Sequence, residues 1–188
     1  IYFKYKELLL DGIQGMTSHL RIKSVSSSTG FMLSFQYSGE TLSDGFKNIA
    51  KVTLLNRTQD YCDPNADACS NLTQSWPSIT YNSSTDASYI TTRTETDNAN
   101  RVTTYTFNSS SRLTGMRRPG ASSNNVTVAY GTDNRVSAIT SEGVTWQYSW
   151  AFASPSMTAT ITNPDSSQEV VVTDYNKNVV TSFKNGLN

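Results

Sequence analysis

Apolar and polar residues alternate in short runs along most of this chain, and Ser, Asn, Asp and Gly gather between the runs. A period of two sends every second side chain to one face, which predicts β-strands joined by turns. Residues 1–10, IYFKYKELLL, open as a strand, and GIQGM at 12–16 breaks it. The stretch LRIKSVSSSTGFMLSFQYSG predicts a hairpin. In it, residues 21–25 alternate, 26–30 turn, and 31–37 alternate back with Phe31, Leu33, Phe35 and Tyr37 on one face. Helical periodicity is confined to a region near Ser43–Leu55, and its second half, KVTLL, alternates better as a strand with Val52 and Leu54 on one side. Trp76-Pro77 marks a strand start or an edge, because proline cannot donate to a ladder.

From about residue 88 the pattern repeats. YTFNSSSRLTGM (105–116) aligns with VAYGTDNRVSAI (128–139), Phe107 over Tyr130, Arg112 over Arg135 and Leu113 over Val136, at an offset of 130 − 107 = 23. A third copy, VTDYNKNVVTSF (172–183), places Tyr175 45 residues beyond Tyr130, about two offsets, with a turn one residue shorter and no arginine. VTWQYSW (144–150) fits the skipped unit, and TDNANRVTTYTF (96–107) has its own Asn100-Arg101 turn.

Each unit has a physical reading. A strand ends on an aromatic residue, and Asn108 or Asn176 begins a turn by accepting a backbone hydrogen bond through its side chain. A residue that tolerates positive φ follows: Asn100, Asn134, Asn178 or, less well suited, Ser111. Leu113 and Met116, or Val136 and Ile139, then pack inward, and Arg112 and Arg135 lay their stems over neighbouring aromatics. One hairpin cannot bury its own apolar face, so the units must stack. The fold class expected is all-β: antiparallel hairpin repeats in a twisted open sheet or a segment of a wound β-shell. Residues 1–87 read as a divergent hairpin segment and 88–188 as the repeats, in one continuous sheet domain.

These residues resemble the YD repeats of the RHS family, whose pattern runs roughly Tyr-Asp-x-x-Gly-Arg-Leu. The resemblance lies in Tyr105 to Leu113, in Thr96 to Arg101 and in Tyr130 to Val136, with Tyr175 and Asn176 in the last copy. The copies are degenerate: Asn108, Gly131 and Asn176 replace the aspartate, and Ser111, Asn134 and Asn178 the glycine. The resemblance implies a wall segment of a larger secreted or cell-surface protein. RHS shells and their relatives, the C components of insecticidal toxin complexes and the teneurins, wind a long β-ribbon into a hollow cage. In the bacterial toxins the cage encloses a C-terminal toxin. The implied partners are therefore the rest of a larger chain or its encapsulated toxin.

Composition narrows the other possibilities. Formal net charge is +0 and charged residues are 16%, which argues against nucleic acid as a partner. No apolar run approaches the roughly 20 residues of a membrane-spanning helix. His19 is the sole histidine, no nucleophile, metalloprotease or phosphate-loop motif occurs, and no cofactor is implied, so the expectation is a protein without catalysis of its own. A pairing of carboxylates such as Asp97 with Glu142 has no support in the spacing.

YCDPNADAC at 61–69 has two readings. Cys62 and Cys69 close a disulfide loop, which implies an oxidising compartment. Alternatively, Asp63, Asn65 and Asp67 begin a calcium loop, although Ala68 stands where its glycine belongs and Gln74 where its glutamate belongs. Five sequons begin at Asn56, Asn71, Asn82, Asn108 and Asn125. Trp76, Trp146, Trp150 and the ten tyrosines are either strand packing or a surface for glycans, and unpaired strand edges would invite other copies of the chain.

Overall fold

Every regular element in the computed structural model is a β-strand, and the residues described are 1–12 and 15–186. The strands follow one another in space in chain order, so the terminal two each have one neighbour and the sheet is open. They are β1 (Tyr2–Gly12), β2 (Gly15–Ser26), β3 (Phe31–Tyr37), β4 (Ile49–Asn56), β5 (Ser78–Thr85), β6 (Thr91–Asp97) and β7 (Val102–Phe107). Then come β8 (Leu113–Arg117), β9 (Val126–Tyr130), β10 (Val136–Ser141), β11 (Val144–Ala153), β12 (Ser156–Thr162), β13 (Gln168–Asp174) and β14 (Val179–Lys184). The break expected at 12–16 falls partly outside the described residues; on either side, Gly12 pairs with Gly15. The helical pattern near Ser43–Leu55 resolves into a turn that closes on Thr41, followed by β4. Pro77 immediately precedes β5, and its carbonyl accepts from the Leu54 amide.

Two compact units share this order. One comprises Ile1–Ser84 with Arg93–Thr103, the other Thr85–Thr92 with Thr104–Asn188. The sequence boundary at 87 and 88 thus lies near the first crossing between units, but 93–103 belong with the first.

The first unit has a buried core on one sheet face. Met32 pairs with Ser26 and Leu55, and Ser34 with Ser24 and Thr53. Cross-strand partners share a face, and all six of these residues are buried. The strand-free segment 57–77 covers them, packing Cys62, Ala66, Cys69, Leu72 and Trp76 around Met32 (1% exposed) and Leu55 (0%). The alternate residues Phe31, Leu33 and Leu54 are exposed. The sequence therefore identified the alternation of Phe31, Leu33 and Phe35 against Met32 and Ser34, while the covering segment selects the face carrying Met32 and Leu55. Tyr37, expected beside Phe35, departs from it, because a shift in register after Gln36 pairs it with Ile49 and its ring meets the buried Arg21. In β2 a bulge at Lys23, between the pairs Lys4 with Ser24 and Tyr5 with Ile22, shifts the alternation. As a result Arg21 is buried along with Ser24 and Ser26.

Turns recur in the second unit and at the end of the first with one geometry. Asp86, Asp97 and Asn108 each accept from the amides two and four residues ahead. The fourth residue of each turn, Tyr89, Asn100 or Ser111, has a φ of 58–60°. The same backbone bonds close the turns at Gly131–Arg135 and Asn163–Ser167, where Asn134 and Ser166 take positive φ. Gly131 has no side chain to accept a bond, and Asp133 takes the Arg135 amide instead. The first three turns begin 11 residues apart, the length of one strand plus one turn. The offset of 23 in the sequence is therefore a two-strand step.

Candidate functional site

Three positions share an arrangement of arginine, aromatic ring and backbone carbonyl. On β2, the Arg21 guanidinium stacks 4.5 Å from the Tyr37 ring centre, and the Tyr37 hydroxyl donates to the Ile22 carbonyl at 2.7 Å. In the second unit, Arg112 lies 5.7 Å from the Tyr130 ring, and Tyr130 donates to the Leu113 carbonyl at 2.8 Å. Arg135 lies 5.9 Å from Trp150, whose Nε1–H donates to the Val136 carbonyl at 2.9 Å. Each time, the residue after the arginine supplies the carbonyl, and the aromatic comes from the next strand. The cation meets the negative face of the ring while the polar tip of the ring is spent on the sheet. Burial pushes the Tyr37 hydroxyl above its ordinary pKa, against the lowering effect of Arg21.

The other repeat residues frame these latches. Phe107 pairs with Leu113, and Tyr130 with Val136, each pair flanking a turn. Arg112 Nη1 donates to Asn134 Oδ1 at 2.7 Å, joining one turn to the next on the same end of the strands. Arg135 also lies 4.3 Å from the Phe152 ring. The last copy needs a correction. β13 ends at Asp174, whose Oδ1 accepts from the amides of Asn176 and Lys177. The turn therefore begins at Asp174, and Tyr175 and Asn176 lie inside it. Counted from Asp174 to Asn178 (φ 53°), it is one residue longer than the other turns.

In the first unit the charged groups cluster around Arg21. Its side chain is 3% exposed, stacked between Tyr37 and Phe46, and it donates to the Gly39 and Phe46 carbonyls. Its Nη2 also meets Glu40 Oε1 at 2.7 Å and Asp67 Oδ1 at 3.4 Å. Lys6 reaches both carboxylates, and Lys23 reaches Asp67 at 3.1 Å. Hydrogen bonds from Lys6 and Arg21 hold the Glu40 carboxyl below its ordinary pKa. Burial pushes Asp67 up, but Lys6 and Lys23 outweigh it and hold its carboxyl down.

This cluster borders the segment 61–69 and engages its Asp67. Cys62 and Cys69 are joined as a disulfide. Asp67 is engaged by three cations, and Asp63 Oδ1 accepts from the Asn65 amide within the turn. Asp60 anchors the rest of the segment, accepting from the Thr73 amide and hydroxyl and from Trp76 Nε1 at 2.7 Å. Those hydrogen bonds, first that of the Thr73 hydroxyl, hold its carboxyl low.

Sequence reasoning found Arg112, Asn134 and Arg135 but missed Arg21, Tyr37 and Asp60. Arg21 and Tyr37 are 16 positions apart on different strands, and no local spacing links them. The turns at Asp86 and Asn163 were also missed, although an Asx residue opens each between two alternating runs. Of the carboxylates paired speculatively, Asp97 bonds Arg101 and Glu142 bonds Arg118 at 2.6 Å. Among the described residues, no group of three or more His, Cys, Asp or Glu side chains converges as a metal site, and no helix is long and apolar enough to cross a membrane. No family model matches the chain, and no curated protein matches it.

Proposed function

We propose that this chain is a non-catalytic β-repeat segment of a secreted or cell-surface protein of RHS type. It builds part of a wall that encloses or presents a toxin or other C-terminal cargo. The observation that carries this reading is the recurrence of one latch, in which an arginine, the carbonyl after it and an aromatic of the next strand are tied together at Arg21, Arg112 and Arg135. A wall built from successive hairpins needs such ties between neighbours, because each hairpin alone is marginal.

The aromatic chemistry favours this reading over a glycan-binding surface. Tyr37, Tyr130, Trp76 and Trp150 direct their polar tips at internal acceptors. The disulfide agrees with an extracellular setting. Electron microscopy of the natural protein that carries this sequence tests the proposal. A wound sheet around a cavity is expected, and a solid globule would overturn it.

A further inference from the structure

The first unit leaves one face of its sheet uncovered. Segment 57–77 packs on the face of Met32 and Leu55. On the opposite face Phe3, Val25, Leu33 and Leu54 form a row across β1 to β4, each paired with the next. Phe3 is 52% exposed, Leu33 37% and Leu54 40%. Beside this row lie the pairs Tyr5 with Ile22 and Glu7 with Leu20, and the run Phe35, Val52 and Ile79. Leu20 is 62% exposed. A shallow groove of about 180 Å³ runs between Ile1, Val25, Phe31, Leu33 and Leu54. An apolar patch of this extent marks an interaction surface.

We propose that this face is where two copies of the chain pair, face to face, as a two-layer sandwich. Three observations favour a second copy. First, the area fits. Five strands about 4.8 Å apart and each roughly 20 Å long present on the order of 500 Å² before side-chain relief is added. With that relief, the face approaches the roughly 800 Å² per partner of a stable interface. Second, over residues 2–10 and 17–26 of β1 and β2 and the whole of β3 and β4, Glu7 is the one charged residue that the pairing places on this face, and Ser18 already donates to it. The formal charge of the chain is +0, so two copies meet without repulsion. Third, the described side chains of the face are apolar apart from a few polar groups such as Glu7 and Ser18, and a patch of one apolar kind complements its own copy about a two-fold axis. Packing the two faces together about 10 Å apart gives each exposed row a second layer.

Sedimentation of the full chain across the micromolar range tests this. The expected species has twice the 20.7 kDa mass of one chain. Leu33→Lys with Leu54→Lys is expected to raise the dimer Kd by roughly thirty-fold or more, the scale of a central interface residue. The variant keeps the Met32–Leu55 core, checked by Trp76 fluorescence. Val180→Lys, on the exposed edge strand β14, is expected to leave the dimer intact. Hydrogen exchange of the unmodified chain supplies a readout that needs no variant, with protection of β2–β4 falling on dilution. A monomer throughout, a dimer indifferent to the two lysines, a dimer abolished by Val180→Lys, or exchange independent of dilution would each overturn the pairing. The wall reading stands or falls separately: a monomer leaves it untouched, and a solid parent particle leaves the dimer untouched.

Discussion

Tyr130 donates its hydroxyl proton to the carbonyl oxygen of Leu113, 17 residues earlier, at 2.8 Å. The same ring receives Arg112 on its face. Tyr130→Phe keeps the ring and the cation but removes the bond. Stability is expected to fall by about 1 kcal/mol, read from urea denaturation. Tyr130→Leu removes the ring's attraction for Arg112 as well and is expected to cost more. Equal losses for the two variants would show that the cation adds nothing.

Arg21 carries the heaviest load in the first unit. Arg21→Met keeps the length of the stem but leaves Glu40 and Asp67 without the guanidinium, and the Gly39 and Phe46 carbonyls without a donor. Both carboxylates are half exposed, so water recovers part of the loss. A destabilisation of about 3 kcal/mol is expected, at the low end for a broken buried pair. Arg21→Lys is expected to rescue little, since an ammonium cannot reproduce the planar fork between two rings.

Asp60 makes the covering segment sensitive to acid. Its folded carboxyl is held below the ordinary value, chiefly by the Thr73 hydroxyl, then by the Thr73 amide and Trp76. A depressed folded pKa contributes stability that is fully present above the unfolded carboxyl's pKa and is lost as pH falls through the folded value. The thermal midpoint should therefore hold steady near neutrality and decline below about pH 4. Trp76 emission, which reports the broken Nε1–H bond, should change over the same interval. Asp60→Asn should lower the midpoint at neutral pH and flatten the acid dependence.

Tyr89 and Ser111 occupy positive φ with side chains ill suited to it. A left-handed backbone costs most residues roughly 1–2 kcal/mol, and glycine escapes that cost. Tyr89→Gly and Ser111→Gly are each expected to stabilise the chain by up to about 1 kcal/mol. Asn134→Gly should gain less, because it also removes the acceptor of Arg112. Guanidinium unfolding of the three variants side by side checks the order.

The disulfide closes a short loop between Cys62 and Cys69, seven positions apart. The loop-entropy relation gives about 2.5 kcal/mol for a ring of that size. Cys62→Ala with Cys69→Ala should lose that and a further contribution from the core, since Cys62 packs with Met32 and Leu55. Comparing the double variant with the reduced native chain in denaturant separates the two contributions.

How much of this was legible in the sequence follows from the range of each signal. Strands were readable because period-two alternation is local, and the left-handed positions Asn100, Asn134 and Asn178 because few residue types settle there. The true step of 11 residues was hidden. Tyr89 holds a left-handed site that no propensity would assign to it, and the Asn163 turn has neither arginine nor aromatic. Alternation divides β3 into two faces but says nothing of which one segment 57–77 will cover. Only the tertiary packing of Cys62, Leu72 and Trp76 answers that. The latch of Arg21 and Tyr37 depends on strand register, and a bulge at Lys23 alters that register in a way no local pattern announces.

The strand order, each strand beside its sequence neighbours, sets a rule of parity for changes in length. Successive strands run in opposite directions, so adding or losing one of them reverses every strand that follows and moves all later turns to the other end. Adding or losing two restores both direction and end. A hairpin-sized deletion such as 108–130 would bring the Arg135 turn to the place of the Arg112 turn with Trp150 still beside Val136. Duplications in such a chain are therefore tolerated in even steps, and a single-strand insertion is the change it can least absorb.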